Sequence, residues 1–243
     1  MKKNTLMILF LLSTLIAVGQ DTIYLDYELN KVSSIKHASY YKTVLNEQAD
    51  TNRATEIVYF ISGQIKTLKS YSNYKDKKLD GKLKEWYENG QIRKDIDYKD
   101  GKKNGQLLTY WDNGKPKRID TYENDKLIEG KCINSDGAET IHYDYVKIPE
   151  FPGGINELMQ YLVIELKYPN KSRKKGIEGR VLVNFIVNKN GAISNIKIVQ
   201  SVNDELDKEA IRVVKNMPKW EPGMEDGEAV RVAFNLPINF KLN

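Results

Sequence analysis

The sequence predicts an all-β region of hairpin repeats followed by an α+β domain. The elements of that domain run helix-strand-strand-helix-strand around an antiparallel three-stranded sheet. Three observations carry this prediction. Residues 56–145 repeat with a period of 24, and two segments of residues 151–243 place apolar residues at helical spacing. The closing segment, residues 230–242, alternates apolar and polar residues. Such periods are typical of amphipathic helices and half-buried strands.

The composition is typical of a soluble globular protein of one or two domains. Of 243 residues, 29% are charged and 40% are hydrophobic, and the formal net charge is +5. The densest basic run, residues 171–175, is interpreted as a solvated helix end. A weak positive charge without a basic block argues against a nucleic-acid partner.

The N-terminus has the layout of a secretory signal, which we assign to residues 1–19. Lys2 and Lys3 precede an apolar run at residues 6–16, and small residues follow at the cleavage positions, Ala17 and Gly19. An uncleaved anchor is the alternative, but the apolar run is shorter than the roughly 20 residues that span a bilayer. We therefore expect an exported, periplasmic protein, with membrane association left open. Residues 20–55 form a lead-in whose structure the sequence leaves unclear.

The repeats in residues 56–145 predict stacked β-hairpins. Asn-Gly between runs of aromatic and β-branched residues favours a hairpin with a type I′ turn, and a single hairpin is marginally stable in water. The units must therefore stack to bury their aromatic rings. Equivalent positions in the two clearest copies are Gly81 and Gly105, Asn89-Gly90 and Asn113-Gly114, and Tyr98 and Tyr122. These units resemble the MORN-like variant repeat, and we interpret their aromatic residues and glycines as scaffold.

A short linker, residues 146–150, precedes the second domain at residues 151–243. Apolar residues at helical spacing from Ile155 to Leu166 predict a helix that ends before Pro169. Two strands follow, joined by a turn at Asn190-Gly191, and then a second helix for which Asn203 is the expected N-cap. In the closing strand Pro237 cannot donate a ladder hydrogen bond, which favours an edge position or a bulge.

The chain offers no recognisable catalytic or metal-binding pattern. Cys132 is the single cysteine, so no intrachain disulfide can form. His37 and His142 are far apart in sequence and have no metal-ligand spacing. The sequence therefore predicts a protein that is not an enzyme, with no cofactor and no metal site.

The second domain resembles the C-terminal domain of the TonB family, in the energy-transducer version common in Bacteroidetes. The resemblance rests on Tyr168-Pro169, residues 176–179, Asn190-Gly191, residues 220–223 and the closing strand. It implies a binding module that captures the TonB box of an outer-membrane active transporter by β-strand addition. The residues before Tyr168 depart from the enterobacterial pattern, so partner specificity is not implied. The binding residues implied are Glu165, Leu166, Lys167, Tyr168, Pro169, Arg231, Val232, Ala233, Phe234 and Asn235.

Two functions remain open at this point. The first is energy transduction, in which an inner-membrane motor acts through this protein on an outer-membrane TonB-dependent transporter. The second is a non-transducing cell-envelope interaction protein, with a peptide-binding TonB-like domain and a second surface built by the repeats. A short apolar segment and only 7 prolines argue against the anchor and Pro-rich spacer of a transducer. An exposed strand edge would also permit a strand-exchanged homodimer.

Overall fold

The computed structural model describes residues 22–242, which form two compact units. The first unit ends at His142 and the second begins at Tyr143. The signal peptide predicted at residues 1–19 lies outside the described residues. Within residues 22–242, no helix has the length and apolar composition needed to cross a membrane.

The first unit is one antiparallel sheet of ten strands, each paired with its neighbours in sequence. The lead-in, for which the sequence predicted no clear structure, supplies the first two strands and a 3₁₀ turn at Ile35–His37. The strands are β1 (Ile23–Leu25), β2 (Tyr40–Asn46), β3 (Ala54–Phe60), β4 (Ile65–Asn73), β5 (Lys78–Trp86), β6 (Ile92–Lys99), β7 (Lys102–Tyr110), β8 (Pro116–Glu123), β9 (Lys126–Ile133) and β10 (Glu139–Thr140).

The repeats are hairpins, but the predicted turn type at Asn-Gly is wrong. Gly90 has a positive φ of 85°, whereas Asn89 does not. The Gly90 N–H donates to the Tyr87 carbonyl and the Tyr87 N–H donates to the Gln91 carbonyl, both at 2.9 Å. This is the three-residue loop in which a type I turn is followed by a left-handed glycine. The same bonds recur in the neighbouring copy.

Type I′ turns occur instead at the opposite ends of the strands, where one repeat passes to the next. Asp100 and Gly101 have φ values of 53° and 85°, and Asn124 and Asp125 have φ values of 50° and 70°. Positive φ at both central residues is the condition for a type I′ turn. From β5 to β9, the turns therefore alternate between these two types.

The repeated glycines and aromatic residues form a scaffold, as the sequence predicted. Gly105 has a φ of 116° and lies opposite the buried Tyr122, and a Cβ there would lie 2.8 Å from the Cβ of Asp97. The Trp111 Nε1–H donates to the Ile133 carbonyl at 3.2 Å, which ties one repeat to the following strand.

The last strands bury charged side chains. Arg118 and Asp120 are fully buried on β8, and Arg118 Nη1 donates to Asp120 Oδ2 at 2.8 Å. His142 Nε2 lies 2.9 Å from Asp120 Oδ1, so the end of the unit is held against this strand. Cys132 is also buried and lies opposite Arg118 in the register of the β8–β9 ladder.

The second unit has the predicted order of helix, strand, strand, helix and strand, with a small additional sheet. The helices are α1 (Gly154–Glu165), α2 (Asn170–Lys174) and α3 (Asp204–Lys215), and the strands are β11 (Val146–Lys147), β12 (Gly179–Val187), β13 (Ile193–Gln200), β14 (Gly223–Glu225), β15 (Glu228–Val230) and β16 (Val232–Phe240). The main sheet has the order β13-β12-β16, and the small sheet has the order β11-β14-β15. Residues 146–150 were predicted as a linker, but here they pair with β14 and with Glu221.

The core of the second unit lies between one face of the main sheet and the helices. The Asn203 side chain caps α3 by accepting a hydrogen bond from the Leu206 N–H at 2.9 Å. The inward residues of β12, which alternate along the strand, are fully buried. The core is almost wholly apolar and includes Leu158, Leu162, Val181, Val183, Phe185, Val187, Leu206, Ala210, Val213, Val214, Trp220, Leu236, Ile238 and Phe240.

Candidate peptide-binding site

The main sheet of the second unit has two edge strands that differ in regularity. β16 pairs with β12 over nine residues without a register shift. The β12–β13 ladder has two register shifts, and Asn195 on β13 has a positive φ of 53°. Bulges and exposed lysines such as Lys197 are features that discourage strand addition at an edge. β16 is therefore the edge that suits an added strand.

The ladder also indicates which backbone groups of β16 point away from β12. In an antiparallel pair, residues alternate between those that bond the partner strand and those whose N–H and C=O point outward. Pro237 pairs with Leu182 and has no N–H, so we place it among the outward-pointing residues. By the same alternation, Ala233, Asn235 and Asn239 present their N–H and C=O groups at the edge.

The predicted binding residues 231–235 lie at the start of this edge. Arg231 joins β15 to β16, and Val232 is the first residue of β16. Phe234 faces the core, with its ring centroid 5.0 Å from Trp220 and 5.7 Å from Phe185. Ala233 and Asn235 are exposed on the opposite face of the sheet. A strand added at the start of β16 would meet outward-pointing backbone groups, and the apolar core lies beneath them.

The predicted binding residues 165–169 are already engaged with α3. The Glu165 carbonyl accepts a hydrogen bond from Arg212 Nη2 at 2.6 Å, and the Lys167 N–H donates to Glu209 Oε1 at 2.7 Å. Burial raises the pKa of Glu209, but the hydrogen bonds from Arg212 and Lys167 outweigh it, so that its pKa is lower than usual. Leu166 caps α1 through its N–H. The Glu165 carbonyl and the Leu166 and Lys167 N–H groups are therefore already used within the unit.

Tyr168 and Pro169 serve to position neighbouring elements. Tyr168 Oη donates to the Ile177 carbonyl at 2.5 Å, and its ring packs edge-on against Phe240 at 5.8 Å. Pro169 lies at the N-cap of α2. Tyr168 thus contacts the last residue of β16, while residues 231–235 precede or begin that strand. Phe234 and Phe240 are six residues apart, or about 20 Å along a strand. The two predicted groups lie at opposite ends of β16.

Sequence reasoning missed a cavity beside Phe234. It has a volume of about 260 Å³, and residues of the predicted linker, of α1 and of β16 form its wall. Trp220 forms part of that wall and is 3% exposed. Its lining residues come from four separate stretches of sequence, and no local pattern connects them. A run of exposed apolar residues near the linker was the available signal.

Comparison with known proteins finds similarity in segments of both units. Residues 164–242 match the family model of the Gram-negative bacterial TonB protein C-terminal. Residues 79–100 and 103–124 match the MORN repeat variant. These matches confirm the resemblance to the TonB C-terminal domain and to the MORN-like variant repeat, while the Bacteroidetes version stays a prediction.

The relatives share the C-terminal part of the chain. Protein TonB of Helicobacter pylori is 31% identical over 96 residues, which cover 37% of this chain and 32% of the relative. Protein TonB of Vibrio cholerae is 32% identical over 80 residues, which cover 32% of each chain. A solution structure of the H. pylori TonB-CTD is 31% identical over 38% of this chain and 87% of its own, with a TM-score of 0.29. The chain spans about a third of the length of these curated relatives.

Proposed function

We propose that the second unit binds the TonB box of an outer-membrane active transporter, in the periplasm, by adding it as a fourth strand to β16. The observation that carries this proposal is the regular, unpaired edge of β16 in the described residues. The match of residues 164–242 to the TonB C-terminal model supports the choice of partner.

The binding energy in this arrangement comes mainly from the backbone. An added strand bonds to the outward N–H and C=O groups of Ala233, Asn235 and Asn239, while its side chains determine register. The core beneath β16 holds these groups in position, since Leu236, Ile238 and Phe240 are almost fully buried. The edge therefore needs little ordering when the peptide binds, which favours affinity.

In this proposal residues 165–169 support the site and do not form the peptide contact. The Glu165 carbonyl and the Lys167 N–H bond to side chains of α3, and Tyr168 packs against the far end of β16. The peptide contact is assigned to β16, with residues 231–235 at its start.

A second candidate function is a cell-envelope scaffold without motor coupling. The ten-stranded sheet supports it, because this sheet precedes the TonB-like unit and offers a second large surface. Energy transduction would require an inner-membrane motor partner in addition. Both functions use the same peptide site on β16, and neither needs a catalytic group. In both, the two units act as separate domains.

A proline placed on the edge tests strand addition. Asn235→Pro removes one outward N–H and, by the ladder alternation, no backbone bond to β12. Like the control below, it also removes the hydrogen bond that Asn235 Oδ1 accepts from Asn184 Nδ2 at 2.8 Å. Titration of the full chain with TonB-box peptides from transporters of the same organism should show at least tenfold weaker binding for this variant. Asn235→Ala keeps the backbone donor and is the matched control, expected to bind within about twofold of the wild type. Failure of the wild type to bind at millimolar peptide, or equal binding by Asn235→Pro, contradicts the proposal.

A further inference from the structure

The cavity beside Phe234 lies between the first half of α1 and the start of β16. Its apolar wall includes Ile148, Phe151, Ile155, Leu158, Trp220 and Phe234. Its volume of about 260 Å³ falls below the roughly 300–1,000 Å³ of small-molecule sites. A cavity of this size suits one side chain better than a cofactor or a metabolite.

Trp220, which lines the cavity, carries a buried donor for which the described residues supply no acceptor. Trp220 Nε1 has no hydrogen-bond partner among the described residues, although the residue is 3% exposed. Three aromatic contacts hold the indole in place, with Phe151, Phe185 and Phe234 at centroid distances of 5.8, 5.4 and 5.0 Å. Buried polar groups without partners are rare in folded proteins, so this donor points to an acceptor that a ligand supplies.

The cavity is continuous with the free edge of β16, since Phe234 belongs to both. Side chains of an added strand alternate between the two faces of the sheet. Those on the helix side of a strand that pairs with β16 lie on the same face as Phe234, which lines the cavity together with Ile155 and Leu158 of α1. The mouth of the cavity is apolar there, because Ile148 is 70% exposed and Ile155 is 62% exposed. A strand bound along the edge thus directs one side chain toward the cavity.

We propose that this cavity is a specificity pocket that takes one apolar side chain of the peptide added to β16, and that the bound peptide brings an acceptor to Trp220 Nε1. This proposal rests on the proposed function. Backbone bonds to β16 provide affinity for any extended peptide, whereas the pocket selects the residue at one position. The partner is accordingly an extended peptide with a single required apolar residue on its helix-facing side.

Glutamate at the mouth of the pocket tests the apolar contact. In Ile155→Glu a charge enters an exposed position in the first turn of α1, where acidic residues are tolerated, so the fold should persist. We expect at least tenfold weaker binding of the TonB-box peptide to the full chain. Val163→Glu is the matched control, because Val163 is 82% exposed on the same helix and does not line the cavity. It should bind within about twofold of the wild type.

The Trp220 donor is tested without any mutation. In an NMR titration of the full chain, the Trp220 indole N–H resonance should move downfield as the peptide binds. The Trp111 indole already donates to Ile133 and should not move, which makes it the internal control. In an alanine scan of the peptide, one apolar position should carry most of the loss of affinity.

The outcomes separate this proposal from the proposed function. If the peptide binds and Asn235→Pro weakens it, but Ile155→Glu and the Trp220 resonance are unaffected, the pocket is overturned and strand addition stands. If no peptide binds, the specificity pocket and strand addition to β16 are both contradicted. A Trp220 shift that depends on protein concentration without peptide would assign the cavity to a second copy of this chain and would also overturn the proposal.

Discussion

The first unit and the second unit bury different kinds of side chain. In the second unit, sixteen buried hydrophobic residues, with Phe185 at 0% exposure among them, form one cluster. In the first unit, buried side chains are spread along the sheet and include the charged residues Glu56, Lys117, Arg118 and Asp120. One unit is stabilised by a shared apolar core, and the other by contacts between neighbouring strands.

This difference explains where a rigid binding edge can be built. Strand-to-strand contacts, such as the bond from Trp111 to Ile133, stabilise each hairpin through its neighbours. A shared core couples distant segments, so that β16, α1 and Trp220 keep fixed positions together. The proposed peptide site lies on the unit whose parts are coupled in this way.

The largest expected effect comes from opening the apolar core. Phe185→Ala should lower the free energy of unfolding of the second unit by about 4 kcal/mol, because it removes a fully buried ring and leaves a cavity. Hydrogen–deuterium exchange of the full chain should accelerate in residues 179–187 and remain unchanged in residues 94–109. Phe185→Leu keeps more of the volume and should accelerate exchange less. Equal acceleration in both units would contradict the comparison.

A smaller effect is expected from the buried ion pair of the first unit. Asp120→Asn removes the negative charge of a carboxylate that bonds to the fully buried Arg118, which should cost about 3 kcal/mol. The loss should appear as faster exchange in β8 and β9, with β12 and β16 unaffected. Asp112→Asn, at an exposed turn position, is the control and should change stability by less than about 0.5 kcal/mol. No change in Asp120→Asn would mean that charge burial does not stabilise this sheet.

The smallest expected effect is a pH dependence at Glu56. Burial raises the pKa of this carboxyl, but hydrogen bonds from Tyr74 and Lys42 and the charge of Lys77 hold the pKa below its ordinary value of 4.5. A lowered folded-state pKa contributes stability that is present above pH 4.5 and is lost as the pH falls through the folded-state value.

Urea denaturation at pH 7 and at pH 3 measures this contribution. Glu56→Gln should destabilise the first unit at pH 7, and its difference in stability from the wild type should be smaller at pH 3. Glu129→Gln, an exposed substitution on the same sheet, should show no such difference between the two pH values. If Glu56→Gln destabilises the first unit equally at both pH values, the effect comes from altered packing and not from the loss of the carboxylate charge.

Local patterns in the sequence predicted much of the fold. The period of 24 predicted the hairpins, and the apolar stripes predicted α1, α3 and the Asn203 cap. The turn type at Asn89-Gly90 was wrong because an Asn-Gly pair fits two kinds of tight turn, and only the register of the paired strands selects one. The structure of residues 20–55 was left unclear by the sequence, and the ladders that pair β1 with β2 and β2 with β3 define it.

The sequence alone determined the two-part architecture and the order of elements in the second unit, since periodicity is a property of nearby residues. Tertiary structure decided which edge is regular, that Tyr168 and residues 231–235 lie at opposite ends of β16, and that Trp220 borders a cavity. These features join residues distant along the chain. Tertiary packing brings these residues together, and no local pattern in the sequence predicts their contacts.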